Sequence, residues 1–316
     1  MRERPRDLDD AALRSLLSQH WDIEPVDLRY EPVGFGSHHW SVTTATGGRH
    51  FVTVDVLPAP ERLEELRAAM RTAVALRDQG GLEFVVAAEP ARSGELVVPL
   101  GEYAVTVLPF VDGRPWPTSG ETDLPDLLAR LHAATRVAEP YARSDDLQVH
   151  ARSDLEDALG ALDEPWGAGP YSAGCRDLLA AAADDVRAWL TSYDALVAGL
   201  RRREEPAVLT HGEPKPDNLL GTDTGPALVD WDTALLAPAA RDLWWLAVQD
   251  PDALERYVAV TGRRVHPDDL ALYRERWDLT DLALYVRDLR GPHQRDGDTA
   301  IAWQVVQDLL QPATAP

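Results

Sequence analysis

Residues 208–220 read Val-Leu-Thr-His-Gly-Glu-Pro-Lys-Pro-Asp-Asn-Leu-Leu, and the apolar run Ala227-Leu228-Val229 that follows ends in Asp230-Trp231-Asp232. Two apolar stretches bracket a polar loop that holds Glu213, Lys215, Asp217 and Asn218. Pro214 and Pro216 fix φ and stiffen the loop. Stiffness suits phosphoryl transfer, a reaction governed mainly by positioning and charge neutralisation. The spacing predicts strand, loop, strand, turn and strand over 207–230. With those strands side by side, Asn218 and Asp230 would converge on one cation, and hard oxygen donors of this kind suit Mg²⁺. The competing account of the loop is a proline-stiffened surface turn. For Asp232 it is a solvated or helix-capping carboxylate.

On either side of this island the chain changes character. Upstream, an amphipathic helix over 9–20 starts at Asp9 or Asp10. Strand signals follow at 26–33, 38–45 and 49–57, with Gly34-Phe35-Gly36-Ser37 after the first and Thr46-Gly47-Gly48 between the second and third. A proline-initiated helix spans 60–79 and stops at Gly80-Gly81. Further strands are expected at 83–88, 94–99 and 102–109. After Asp112-Gly113-Arg114-Pro115 the spacing turns helical, at 122–135, 153–162, 173–203, 252–261, 267–289 and 297–310. A small strand-rich region followed by a helical one predicts a ligand cleft between them.

The net charge of −22 over 316 residues disfavours nucleic-acid phosphates and anionic membranes as partners. The same charge would draw in a cationic small molecule, although solubility alone also accounts for it. Of the 31 basic residues only Lys215 is a lysine, which puts the single ammonium side chain inside the polar loop. One cysteine, Cys175, excludes an intramolecular disulfide and a cysteine metal cluster. The charged opening MRERPRDLDD has no apolar segment of signal-peptide type, and a cytoplasmic location is expected. Nothing here sets the oligomeric state.

His211-Gly212-Glu213-Pro214-Lys215-Pro216-Asp217-Asn218 resembles the catalytic loop of the aminoglycoside phosphotransferase-like family, the type shared with choline kinases. It also resembles the protein-kinase loop His-Arg-Asp-Leu-Lys-Pro-x-Asn. Val229-Asp230-Trp231-Asp232, continuing to Arg241-Asp242-Leu243, resembles the family's metal-binding strand and following helix, with details similar to the spectinomycin phosphotransferase branch. The resemblance implies an α+β, bilobal, protein-kinase-like fold. A small mixed lobe with an antiparallel sheet would occupy 1–110, a hinge about 108–113, and a larger, mostly helical lobe 111–316.

The resemblance also implies residue roles. Asn218 and Asp230 hold Mg²⁺ on the phosphates of ATP or GTP, and Asp232 adds a metal or supporting contact. Glu213 stands where the family has the acid that receives or orients the acceptor hydroxyl. Lys215 stands where protein kinases touch the γ-phosphate. His211 and Asp242 brace the loop. Gly34, Gly36 and Ser37 would lie against phosphate, and Pro109, Phe110 and Val111 against the base. Read from the residues alone, His38 and His39 are expected in solvent, with contact to phosphate as the alternative, His132 as a satisfied packing histidine, and Trp244-Trp245 as core.

Two departures stand out. The family acid is normally aspartate, and here it is the longer Glu213. The third strand normally carries a lysine paired to a helix glutamate, and here Thr53 is aligned with that lysine, leaving Glu64 or Glu65 as its unpaired partner. Two functional readings result. One is a small-molecule kinase that phosphorylates a hydroxyl on a cationic acceptor, an aminoglycoside, aminocyclitol or amino sugar, with Asp145, Asp146, Asp154, Asp157, Asp281 and Asp288 as weak candidates for holding the ammonium groups. The other is a pseudokinase that binds nucleotide or a metabolite without turnover.

Overall fold

The computed structural model describes residues 1–5, 7–34, 36–116 and 124–311. These fall into two compact units, one made of 1–145 and 206–264, the other of 146–205 and 265–316. This division by compactness differs from the lobe boundary expected near 110.

The first unit opens with helix α1 (Asp10–Trp21), capped by the Asp9 carboxylate, which accepts the Ala11 N–H at 3.0 Å. Strands β1 (Pro25–Glu31), β2 (Ser37–Thr44) and β3 (Arg49–Val56) come next, then helix α2 (Pro60–Asp78) with Pro60 in its first turn. Strands β4 (Val98–Leu100) and β5 (Tyr103–Pro109) complete an antiparallel sheet of order β1-β2-β3-β5-β4. Because side chains alternate across a strand, Trp40 and Val42 on β2 and Val52 and Val54 on β3 bury one face against Leu13 and Leu17 of α1. The opposite face of β3 carries Phe51, Thr53 and Asp55.

The unit continues through β6 (Arg114–Pro115), α3 (Leu124–Ala133), α4 (Thr135–Ala138) and β7 (Arg143–Ser144). In the second unit, α5 (Arg152–Gly160), α6 (Ser172–Ala181) and α7 (Ala183–Arg203) come before the chain re-enters the first. There it forms β8 (Val208–Thr210), β9 (Leu219–Thr222), β10 (Gly225–Leu228) and β11 (Leu235–Ala237), then α8 (Ala240–Gln249) and α9 (Pro251–Thr261). β9 and β10 pair antiparallel with Leu219 opposite Leu228, and β7, β11 and β8 make a second small sheet. The second unit ends with α10 (Pro267–Arg290) and α11 (Gly297–Leu310), and α10 is its spine, packing on α5, α6, α7 and α11.

Three segments depart from expectation. Residues 83–88 do not form a strand. They reach the end of β10 through a single parallel bridge, Val85 to Leu228, flanked by hydrogen bonds of 2.7 and 3.1 Å. The 94–99 strand starts only at Val98, because a turn closed by the Gly94 N–H to the Ala91 carbonyl takes up its beginning. The long 173–203 helix is two helices joined at Ala182. Within the expected 122–135 helix, 122 and 123 lie outside the described residues. Among the described residues no helix is long and apolar enough to cross a membrane.

Candidate active site

The loop after β8 is held from below by a buried carboxylate. Asp242 of α8 accepts the backbone N–H of Gly212 at 2.6 Å and of His211 at 3.0 Å, and meets the His132 ring nitrogen at 3.1 Å. The other nitrogen of His132 meets the Tyr257 hydroxyl at 2.6 Å, so this histidine is a satisfied packing residue. Burial alone would raise the Asp242 carboxyl. The His132 hydrogen bond and charge, with Arg241 and His211, outweigh it and hold the group below the usual carboxylate range.

His211 fixes the next step of the chain. Its Nε2 donates to the Val229 carbonyl at 2.8 Å, which leaves Nδ1 to accept the Glu213 N–H at 3.2 Å. That arrangement needs a neutral ring, and burial pushes its pKa down accordingly. Gly212, at φ 101°, lets the backbone pass the Arg241 guanidinium, which would lie 2.5 Å from any Cβ there. Arg241 in turn donates to Thr210 Oγ1 and the Thr233 carbonyl, each at 2.8 Å.

From this base the loop presents its polar groups. Asn218 gives its amide N–H to the Glu213 carbonyl at 3.0 Å, leaving the oxygen end of the side chain for a cation. The Val229 N–H pairs with the Asn218 carbonyl at 3.0 Å, so Asp230 follows directly beside the loop. Asp230 has φ 67°, unusual for a residue other than glycine. It keeps accessible surface because it faces an open cavity, while protein crowds it on its other sides. That crowding, with the negative charges of Asp232, Glu213 and Asp55, pushes its carboxyl well above the ordinary range.

The cavity has a volume of about 620 Å³, within the range that holds a small ligand, roughly 300–1,000 Å³. Its lining includes Gly34, Ser37, Thr53, Pro109, Phe110, Val111, Asn218, Asp230 and Asp232, and also Asp217. Gly36, Glu213 and Lys215 are not in that lining. The Lys215 ammonium sits 5.7 Å from the centre of the Trp244 ring, and both tryptophans of the pair on α8 are half-buried. Burial raises the Glu213 carboxyl, Lys215 and Arg241 lower it and Asp232 raises it, with a net upward shift. At the expected hinge, Arg49 lies over the Phe110 ring at 3.7 Å and pairs with Asp112 at 2.5 Å.

Several expectations need correction. His38 is buried, with its ring 3.1 Å from the Tyr30 hydroxyl, because β2 turns that face into the core. His39 lines the cavity, stacked on Phe51 with ring centres 5.1 Å apart, and burial lowers its pKa to about 4. Neither Glu64 nor Glu65 lacks a partner. Glu64 meets Arg67 at 2.7 Å, and Glu65 meets Arg143 at 2.8 Å and Arg62 at 3.6 Å.

Sequence reasoning missed three groups. Asp55 is buried at the cavity wall, accepts from Ser37 Oγ at 2.7 Å, and is raised to about 6 by burial and by Asp232. Arg62, in the first turn of α2, donates to Asp232 at 2.7 Å and lies 4.0 Å from Asp55. Thr106 of β5 lines the same cavity, and its buried hydroxyl meets no hydrogen-bond partner among the described residues. The period-two alternation of β3 was the available signal for Asp55, since it shares a face with Thr53. Nothing in the sequence pattern marks Arg62 or Thr106.

The model of the phosphotransferase enzyme family matches residues 29–276. The chain belongs to this family. It is therefore a phosphotransferase enzyme. Protein StrN of Streptomyces griseus is 31% identical over 247 residues, covering 72% of each chain. The fold is the family's kinase-like one, with an antiparallel sheet in the N-terminal region and helices after it. A spectinomycin phosphotransferase, APH(9)-Ia, solved with ADP and spectinomycin, superposes with a TM-score of 0.74 at 16% identity, over 97% of this chain and 96% of its own. The amicoumacin kinase hAmiN, solved in complex with AMP-PNP, Ca²⁺ and Ami, superposes with a TM-score of 0.63 at 13% identity, over 97% and 94%.

The donor set fits a nucleotide and a divalent cation. Among the described residues no group of three or more His, Cys, Asp and Glu side chains makes a closed metal cage. Two carboxylates and an amide oxygen at an open cavity are the hard, incomplete set that a cation shared with phosphate oxygens needs. The repulsion that raises Asp230 is the kind a cation relieves. The unpartnered Thr106 hydroxyl fits the polar edge of a base.

Proposed function

We propose that this enzyme transfers the γ-phosphate of Mg²⁺-bound ATP or GTP to a hydroxyl of a cationic acceptor, an aminoglycoside, aminocyclitol or amino sugar. The observation that carries the reading is the meeting of Asn218, Asp230 and Asp232 at one cavity that the 108–111 connector also lines. Asn218, Asp230 and Asp232 would hold the cation, which would neutralise charge on the phosphates. Glu213 would accept or orient the acceptor's hydroxyl proton, and its raised pKa suits a base that must also release that proton. Lys215, on the same stiff loop, would meet the γ-phosphate. The base would lie against Pro109, Phe110 and Val111, and Gly34, Gly36 and Ser37 would cover the phosphates. The lobe division at 108–113 is part of this reading.

The charge of −22 supports a cationic acceptor, as do spectinomycin and amicoumacin in the structural neighbours. It also weighs against nucleic acid or membrane as partner, and a lone buried Cys175 fits the cytoplasm. The pseudokinase reading drew on Thr53 and Glu213. Against the first ground, Arg62 brings a cation onto Asp232 and Asp55, which line the cavity, and Glu213 keeps a carboxylate at the acid's place.

The test is Mg²⁺-dependent consumption of ATP and of GTP across aminoglycosides, aminocyclitols, amino sugars and uncharged polyols, with Asp230→Ala alongside. Cationic hydroxyl compounds should raise turnover above the hydrolysis background and gain one phosphoryl group by mass. Silence across the panel from a protein that still binds nucleotide would sink the reading.

A further inference from the structure

In protein kinases the third strand supplies a lysine for the donor phosphates, and a helix glutamate holds that lysine in place. Here the strand and the helix are present and the charges on them are exchanged. β3 presents the buried carboxylate of Asp55 to the cavity, and α2 carries Arg62, whose guanidinium lies 4.0 Å from that carboxylate. The same guanidinium donates to Asp232 at 2.7 Å and lies 3.6 Å from Glu65.

We propose that Arg62 is the phosphate-gripping cation of this enzyme and that Asp55 is the positioning residue that aims it, a strand–helix ion pair of reversed polarity. The inference rests on the nucleotide reading of the cavity given above. Five features support it. The guanidinium is half-buried and, though not itself in the cavity's lining, reaches Asp232 and Asp55, which line it together with Asp217 and Asp230. Three carboxylates surround it, which is more negative charge than one guanidinium neutralises, so Asp232 can exchange it for another cation. Burial opposes its charge, but Asp232, Asp55 and Glu65 together keep it firmly protonated. Its planar fork matches phosphate oxygens in pairs, which an ammonium cannot do. Asp55 is itself fixed from the far side by the Ser37 hydroxyl at 2.7 Å, so the pair is held at both ends. Arg62 thus divides its hydrogen bonds between Asp232 and the phosphates, while Asp55 limits how far it swings.

The test compares adenosine, ADP and ATP binding, with and without Mg²⁺, by titration calorimetry. The parent is set against Arg62→Gln, Arg62→Lys, Arg62→Glu and the charge exchange Asp55→Lys with Arg62→Glu. Arg62→Gln should weaken ADP and ATP at least tenfold and leave adenosine unchanged, and Arg62→Lys should recover part of the loss. Should Arg62→Gln disturb folding, the exchange variant decides. It restores the ordinary polarity and should bind ADP more tightly than Arg62→Glu alone. ADP affinity equal to the parent's in Arg62→Gln, or no gain in the exchange variant over Arg62→Glu, overturns the proposal while leaving the nucleotide site standing. A parent that binds none of the three ligands, nor guanosine, GDP and GTP in their place, overturns the nucleotide reading, and this proposal with it.

Discussion

Asp242 takes the backbone N–H of Gly212 at 2.6 Å, and through that bond a helix carboxylate sets the height of the loop that carries Glu213, Lys215 and Asn218. Asp242→Ala would strand the amides of His211 and Gly212 and one nitrogen of His132 in a dry interior. Breaking a buried charged network of this kind costs about 3–5 kcal/mol. Urea unfolding should show a loss of that size, together with a fall in turnover. A midpoint equal to the parent's would mean that the loop is held by something else.

The carboxylate at position 213 is expected to act on the acceptor and not on the donor. Glu213→Gln keeps the length and the hydrogen bonds but removes the base, so kcat should fall about 10²–10⁴-fold, with ADP affinity unchanged. Glu213→Asp keeps the base and shortens its reach, so its loss should be the smaller of the two. If both variants weakened ADP as much as turnover, Glu213 would belong to the nucleotide site instead.

Much of this site was legible before any coordinates. The loop's prolines and polar spacing, with the Asp230 and Asp232 pair after an apolar run, pointed to one opening; Asp217, Asn218, Asp230 and Asp232 line one cavity, and Glu213 and Lys215 are outside that lining. The strands of the N-terminal sheet were legible from alternation and glycine turns. What stayed hidden was long-range. Residues 83–88 look like a strand because they are apolar, yet their burial comes from a single bridge to β10, which no local pattern records. Arg62 meets Asp232 across 170 positions of chain, and a residue that reaches the site from a helix's first turn carries no periodic mark. Aligning Thr53 with the missing lysine hid Asp55, two residues on and on the same strand face.

Asp55 gives the nucleotide-free protein an unusual pH signature. Its carboxyl rises from 3.8 in an ordinary setting to about 6 in the fold, through burial and the charge of Asp232. Between those values the folded state holds a proton that the unfolded state has released, so this group's contribution to stability declines as pH rises through that window. Asp55→Asn cannot ionise and escapes the decline. Its melting temperature relative to the parent should therefore be more favourable at pH 7 than at pH 4. A difference that does not change with pH, in melting curves taken without nucleotide or Mg²⁺, would show that Asp55 ionises normally.

Thr106 separates stability from binding in one substitution. Its hydroxyl is buried at the cavity wall with no hydrogen-bond partner among the described residues, and an unmet buried polar group costs about 1–3 kcal/mol. Thr106→Val keeps the shape and removes that group, so the nucleotide-free protein should melt higher than the parent. If the hydroxyl is held for the edge of the base, the same variant should lose about 0.5–1.5 kcal/mol of adenosine binding, roughly a two- to tenfold weaker Kd. Thr106→Ser, which keeps the hydroxyl, should bind as the parent does. Higher melting with unchanged adenosine affinity would assign the hydroxyl no part in recognition, and lower melting would mean that it already has a partner in the fold.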